Sequence, residues 1–297
     1  MCASRAGEQP SERDGAAPRA LIGTHISTGG RLATVPDRAV EMGAEAIQIF
    51  VGNPRGWATP AGEPHADAAF RRRAGEHGLT VMVHTAYLVN LGSPTAATYE
   101  RSVASVAHAL SRATALGAAG VVVHTGSSVT GGDRDAGLRQ VRAALLPMLD
   151  ALPPDGPGVW LEPTAGQGRS LVATLDDLGP YLAALDHHPH VGICLDTCHV
   201  FAAGYDVAAP GGMSATIDRL LEIAGPDRLA AIHANDSMEP CGSFRDRHAR
   251  IGTGRIGLEP FRELLSHRAV ADRPVVLETP GGPAAHAADL RLLGSLR

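Results

Sequence analysis

Eight short apolar runs, separated by segments of helical pattern, constrain the architecture of this chain more than any other feature. They read ALIGTHI (20–26), EAIQIFV (45–51), LTVMVH (79–84), AGVVVHT (119–125), GVWLEP (158–163), VGICLD (191–196), LAAIHAN (229–235) and RPVVLET (273–279). Each is brief and mostly uninterrupted by charge, as parallel strands covered on both faces must be. Between them, 66–77, 97–116, 134–151, 171–185 and 213–224 have helical character. Within 97–116, Ser102, Val103, Val106, Leu110 and Ala113 form a mostly apolar stripe at helical spacing. Eight alternations of this kind predict an α/β fold, a single-domain (β/α)8 TIM barrel. The alternative is an open doubly wound sheet. No G-x-G-x-x-G follows the first run and no Walker A sequence occurs, so nucleotide-binding versions of that sheet lose support.

The 297 residues suffice for one large barrel, and 44% hydrophobic content excludes wholesale disorder. Residues 1–18 are polar, small and Pro-containing, so a disordered tail is expected there, with the barrel over 19–297. The N-terminal stretch lacks the apolar core of a secretion signal, and no run approaches ~18 apolar residues. A cytoplasmic protein without membrane contact is therefore expected. Cys2, Cys194, Cys198 and Cys241 are too few and too unevenly placed for a disulfide framework. All 26 basic residues are Arg, and the net charge of -5 argues against generic electrostatic attraction to nucleic acid. The unusual count is His, at 14.

Placement makes that count informative. His84 ends the third run, His124 the fourth, Glu162 the fifth and Asp196 the sixth; His233 and Glu278 lie near the ends of the seventh and eighth. In a barrel these ends converge on one mouth, where active sites sit. A single buried His or Glu is more often a satisfied core group than a functional one. Six together are different, because several carboxylates in one small volume repel each other and pay desolvation unless cations neutralise them. Two local pairs extend the set. In Asp196-Thr-Cys-His199 the strand is expected to break into a turn, and in Asp246-Arg-His248 an extended backbone puts both side chains on one side.

Five His and four carboxylates with no required thiolate suit Zn2+, and Mn2+ or Fe2+ can occupy such sites. Nine ligands exceed the needs of one tetrahedral ion. Three ions with about three protein ligands each, one carboxylate bridging, leave positions open for water and substrate. Cys194 and Cys198 flank Asp196 and are read as buried structural thiols.

At this point the chain resembles the endonuclease IV family of apurinic/apyrimidinic endonucleases. The strings that carry the resemblance are GTHISTGG (23–30), IFVGNPRGW (49–57), VHTAYLVNLGS (83–93), LEPTAGQG (161–168), CLDTCHVFAAGYD (194–206), IHANDS (232–237), DRHARIGTGRIG (246–257) and LETP (277–280). The resemblance implies a zinc-bearing barrel in which His84 and His124 hold a first ion and Glu162 bridges to a second. Asp196, His233 and Glu278 complete the second, and His199, Asp246 and His248 hold the third. It also implies that Arg55, Tyr87 and Leu88 enter duplex DNA and hold an abasic nucleotide flipped out. The implied reaction is hydrolysis of the phosphodiester 5′ to an abasic site, leaving a 3′-hydroxyl and a 5′-deoxyribose phosphate, by a monomer using three zinc ions. Glu162 would be the catalytic bridge. Pro163, Thr125 and Ser128 depart from residues common in the family, and none of these departures removes a ligand.

Three divalent cations would bring the net charge close to zero and focus positive potential at the mouth, where phosphate must dock. The main rival is a sugar isomerase or epimerase on a similar metal barrel. Such an enzyme does not need the third trio, nor Arg55 and Tyr87. A catalytically silent, metal-stabilised DNA-binding scaffold is disfavoured, because structural zinc sites usually close with four protein ligands.

Overall fold

The computed structural model describes residues 17–129 and 133–297, so almost all of the expected tail lies outside the described residues. The first four runs become β1 (Leu21–His25), β2 (Ala46–Phe50), β3 (Thr80–His84) and β4 (Gly120–His124). Helices α1 (Val35–Glu41), α2 (Pro64–Glu76) and α3 (Ala96–Leu116) connect them. Then follow α4 (Arg134–Asp150), β5 (Gly158–Glu162), α5 (Leu178–Ala184), β6 (Val191–Asp196), α6 (Thr197–Ala202), α7 (Gly212–Ala224) and β7 (Leu229–His233). A two-residue ribbon, β8 (Asp236–Ser237) and β9 (His248–Ala249), precedes α8 (Glu259–Ser266), β10 (Pro274–Leu277) and α9 (Pro283–Leu296). The eight long strands close in the order β1-β10-β7-β6-β5-β4-β3-β2, all neighbours parallel. The single-domain TIM barrel expected from the alternation is what forms.

One helix is shorter than its sequence pattern predicts. Residues 171–174 are irregular, followed by a 3-10 turn at Leu175–Asp177 and only then α5. The cause is local: Asp177 folds back, and its carboxylate accepts from the backbone N–H groups of Ala173 and Thr174. The Leu171 carbonyl is meanwhile taken by the Arg134 guanidinium.

Strand periodicity explains where the chemistry sits. The barrel interior contains one apolar layer with a residue from each strand: Leu21, Ala46, Met82, Val122, Trp160, Cys194, Ala231 and Val276. Side chains two residues apart share a face. The next inward row toward the strand C-termini is therefore Gly23, Gln48, His84, His124, Glu162, Asp196, His233 and Glu278. An apolar floor thus supports an almost wholly polar ceiling. Trp160 fills the floor at the expense of its neighbours, since a Cβ on Gly120 would lie 2.2 Å from its ring and one on Gly158 2.5 Å. On the outer surface of the sheet, helix side chains such as Phe70, Val106, Leu145, Tyr181, Ile217 and Phe261 form the larger apolar layer.

Below the floor, the start of the barrel meets its end. Arg297 donates to the Ala20 carbonyl (2.8 Å) and pairs with Glu45 (2.5 Å), whose other oxygen takes Arg19 (2.5 Å).

Candidate metal centre

All nine side chains singled out as ligands meet at the C-terminal mouth. His84, His124, Glu162, Asp196 and His233 are each the last residue of their strand, and Glu278 follows β10 directly. His199 comes from α6, where the sequence predicts an irregular turn. Asp196 caps that helix, its Oδ1 accepting from the His199 N–H at 2.9 Å. A single carboxylate therefore both starts the helix and faces the centre. His248 lies on β9 and Asp246 in the loop before it.

Glu162 is the hub. Its Oε2 lies 3.1 Å from His84 Nε2 and 3.2 Å from His124 Nε2; its Oε1 lies 2.9 Å from His233 Nδ1 and 3.4 Å from His199 Nδ1. His233 Nδ1 is also 3.3 Å from Glu278 Oε2 and 3.8 Å from Asp196 Oδ2. Asp246 joins the other two rings, at 3.2 Å from His199 Nε2 and 3.0 Å from His248 Nε2. Ligand atoms fall into groups within 4.8 Å of one another: His84, His124 and Glu162; Glu162, Asp196, His233 and Glu278; Asp196, His199 and His248; and Cys198, Asp246 and His248. Glu162 belongs to two of these.

The ring nitrogens test whether cations fit. His84 Nδ1 donates to the Thr85 carbonyl (2.7 Å), His199 Nδ1 to Pro163 (3.0 Å) and His248 Nδ1 to the Glu278 carbonyl (3.3 Å). Each of these rings then turns its Nε2 toward carboxylate oxygen. A neutral imidazole there opposes lone pair to lone pair, so the position must hold a proton or a cation. His248 Nε2 is the clearest case: buried, close to two carboxylates, yet without the geometry of a hydrogen bond to any group among the described residues. The donors surround points in space rather than aiming at one another, and divalent cations fit the arrangement.

In the metal-free chain, protons take the Nε2 positions of His199 and His248. Burial opposes charge on His199 and His233, but the carboxylates around them outweigh it and raise both well above the ordinary imidazole value. His248 is pushed up to about 9 by Asp196 and Asp246 against its burial. Burial favours the neutral acid of Glu162, and His233 and His124 overcome it, holding the group well below the carboxylate range. Glu278 is likewise held at about 2. By contrast, burial drives the thiols of Cys194 and Cys198 up to about 12. They stay protonated at neutral pH, as expected of structural thiols, although Cys198 lies near Asp246 and His248.

The three residues singled out for DNA contact are at the rim. Tyr87 is 51% exposed and Leu88 39%, which rules out ordinary core packing for both. Tyr87 also rests against Phe50, His84 and His124, so its ring is held beside the ligands. Its backbone N–H donates to the Pro54 carbonyl (2.9 Å), linking its loop to that of the exposed Arg55. Among the departures, Pro163 still supplies the carbonyl for His199, whereas the buried Thr125 hydroxyl has no hydrogen-bond partner among the described residues.

Sequence reasoning missed three polar neighbours. Gln48 is buried between Glu278 and His233. Asn235 donates to Asp196 Oδ2 (2.7 Å) and accepts from the Glu278 N–H (2.9 Å). His25 lies 3.9 Å from Glu278, and burial lowers it to about 4, so it is neutral. Gln48 lies mid-strand and pairs with Met82 rather than His84; what it shares with the strand-end ligands is a position two residues beyond the floor residue of its own strand, Ala46.

Comparison with known proteins agrees with this geometry. The family model of xylose isomerase-like TIM barrels matches residues 36–296. A Streptomyces coelicolor protein named probable endonuclease 4 is 52% identical over 282 residues, covering 94% of this chain and 96% of its own length. The crystal structure of endonuclease IV from Thermus thermophilus superposes with a TM-score of 0.83 at 35% identity, covering 93% of this chain and 98% of that one. A 3-keto-D-glucoside 4-epimerase from E. coli covers 93% of this chain and 100% of its own with a TM-score of 0.67, but at 18% identity it shares the fold alone. On these grounds the chain belongs to the endonuclease IV family of xylose isomerase-like TIM barrels.

Proposed function

We propose that this protein is a DNA-repair endonuclease that hydrolyses the phosphodiester 5′ to abasic sites in duplex DNA, leaving a 3′-hydroxyl and a 5′-deoxyribose phosphate. The observation that supports the reading is the convergence of eight further candidate ligands on the mouth around Glu162, with Asp246 lying between the His199 and His248 rings beside the first two groups. The names of the relatives at 52% and 35% identity support the nuclease class. A sugar epimerase has no use for a third group, and none of its features is favoured by an observation at this mouth.

Three zinc ions are the proposed complement: one at His84, His124 and Glu162; one at Glu162, Asp196, His233 and Glu278; one at His199, Asp246 and His248. When bound, such ions supply a water acidic enough to attack at neutral pH and positive charge for the phosphate and leaving oxygens. The chain's own contribution is placement. Glu162 presents one oxygen to each of the first two groups and so keeps them adjacent. The backbone carbonyls of Thr85, Pro163 and Glu278 fix which nitrogen of three rings faces inward. Arg55, Tyr87 and Leu88 are proposed to enter the duplex at the lesion, where an abasic nucleotide unstacks at lower cost than an intact one. Residues 19–297 are proposed to suffice for all of this as a cytosolic monomer.

The test is incision of an abasic duplex oligonucleotide by purified protein, with and without prolonged exposure to a strong chelator. Cutting 5′ to the lesion, abolished by the chelator and restored by Zn2+, is expected. Intact substrate with fully metallated protein refutes the endonuclease reading. Elemental analysis should give close to three metal ions per chain, and a value near one or two favours the sugar enzyme.

A further inference from the structure

We propose that Gln48 is a positioning residue: its side-chain amide determines that His233 turns Nδ1 to the metal centre, and it holds Glu278 against the same ring. The inference rests on the metal-centre reading above.

Gln48 is fully buried in an otherwise apolar strand. An amide with two donors and an acceptor is costly there unless its hydrogen bonds are made. They are made entirely to the centre. Nε2 lies 2.6 Å from Glu278 Oε1 and 3.1 Å from His25 Nδ1, and Oε1 lies 2.8 Å from His233 Nε2. These contacts fix the amide's orientation. An ionised carboxylate only accepts, so the NH2 end must face Glu278. The carbonyl end must then face His233, and because a carbonyl also only accepts, His233 Nε2 carries the hydrogen.

With Nε2 committed, Nδ1 is the nitrogen left for the centre, and it is the atom that lies against Glu162, Glu278 and Asp196. No other neighbour among the described residues can impose this choice. The Cys194 thiol beside the ring both donates and accepts weakly, so it permits either tautomer. His84, His199 and His248 are fixed by backbone carbonyls, which substitution cannot remove. For His233 a side chain performs the task, and it can be replaced. The same amide ties together two of the four groups around one proposed ion. Loss of Gln48 should therefore weaken that ion selectively.

The test uses full-length protein, Zn2+ and the variant Gln48→Met, which keeps the length of the side chain and removes its hydrogen bonds. Zinc affinity is measured by competition with a chromogenic chelator. The ring nitrogen of His233 bound to zinc is read from two-bond 15N–1H correlations, with His233→Asn used to assign its signals. The wild type is expected to bind zinc through His233 Nδ1. In Gln48→Met one ion should bind about 10- to 100-fold more weakly, the usual effect of losing a partner that orients a ligand, and His233 should populate both nitrogens. Equal affinity with Nδ1 retained overturns the proposal. If Gln48→Met does not fold, Gln48→Glu decides. It still accepts from Nε2 but opposes Glu278, so Nδ1 binding should persist while affinity falls, and a switch to Nε2 or unchanged affinity refutes the role. A wild type that binds no zinc overturns the metal-centre reading itself, a result distinct from failure at Gln48.

Discussion

Replacing Glu162 by Gln is the most discriminating perturbation of this centre. The carboxylate has 0% exposure and lies within 3.4 Å of four imidazoles. In metal-free protein it is ionised, while His199 and His233 carry protons at neutral pH. The amide removes the charge but keeps the volume, so the cost is that of breaking a buried pair from one side, about 3–5 kcal/mol. For a chain of this size that lowers the melting temperature by on the order of 10 °C. With metal the effect is larger, because two ligand groups share this one side chain. Losing an orienting partner typically costs 10- to 100-fold in affinity; losing the shared ligand should cost at least about 100-fold, with turnover on abasic duplex falling at least as far. Duplex binding should largely survive, since Arg55, Tyr87 and Leu88 are untouched. The assays are calorimetry of chelator-treated protein, elemental analysis after dialysis, and single-turnover incision beside a gel-shift titration. A variant that keeps its full metal complement and a near-normal rate shows that Glu162 does not join two sites.

Metal loading should expel protons. The imidazoles raised in the metal-free chain are charged at neutral pH, so apparent zinc affinity should climb with pH from 6 through about 9, near which His248 is half deprotonated unaided. Titration calorimetry in buffers of different ionisation enthalpy measures the release, and pH-independent affinity between 6 and 9 contradicts the assignment. Tyr87→Ala should weaken binding to abasic duplex roughly tenfold, within the range for loss of one aromatic contact to nucleic acid. Half of this residue is exposed, so the melting temperature should move by only a few degrees, and unchanged DNA affinity would remove Tyr87 from the interface. Gly23→Ala should fail to fold or lose more than ~4 kcal/mol, since the new Cβ would stand 1.9 Å from the Ala46 carbonyl oxygen of the adjoining strand. Denaturant unfolding checks this, and near-wild-type stability would mean that β1 and β2 can separate.

The barrel was legible because its strands are short, apolar and evenly interleaved with helices, and six of the ligands because each lies at or near the end of such a run; His199, Asp246 and His248 were legible only through local pairing of imidazole with carboxylate. The family resemblance then sorted nine residues into three groups; distance alone brings the first two together but divides the third, placing His199 and His248 with Asp196 and, separately, Asp246 and His248 with Cys198. What stayed hidden depended on tertiary context. Asp196 reads as the end of a strand, and nothing local shows that its carboxylate also begins α6, because a D-T-C-H string has no helical periodicity of its own. Residues 171–174 carry apolar side chains at helical spacing, but Asp177 and Arg134 take up the backbone groups that a helix needs. Gln48 passed as a lone polar interruption in EAIQIFV. Its meaning emerges only in the closed barrel, where its amide reaches Glu278 and His233 from strands that do not neighbour β2.

The meeting of Arg19, Glu45 and Arg297 has a practical corollary for handling the molecule. These groups lie at the pole opposite the ligands, so a fluorophore or surface tether attached after Arg297 stays clear of a bound duplex. A short peptide could also join that end back to Arg19. New termini would then be cut at the exposed Pro153–Asp155 turn, itself at the same pole, leaving every strand and its terminal side chain uninterrupted.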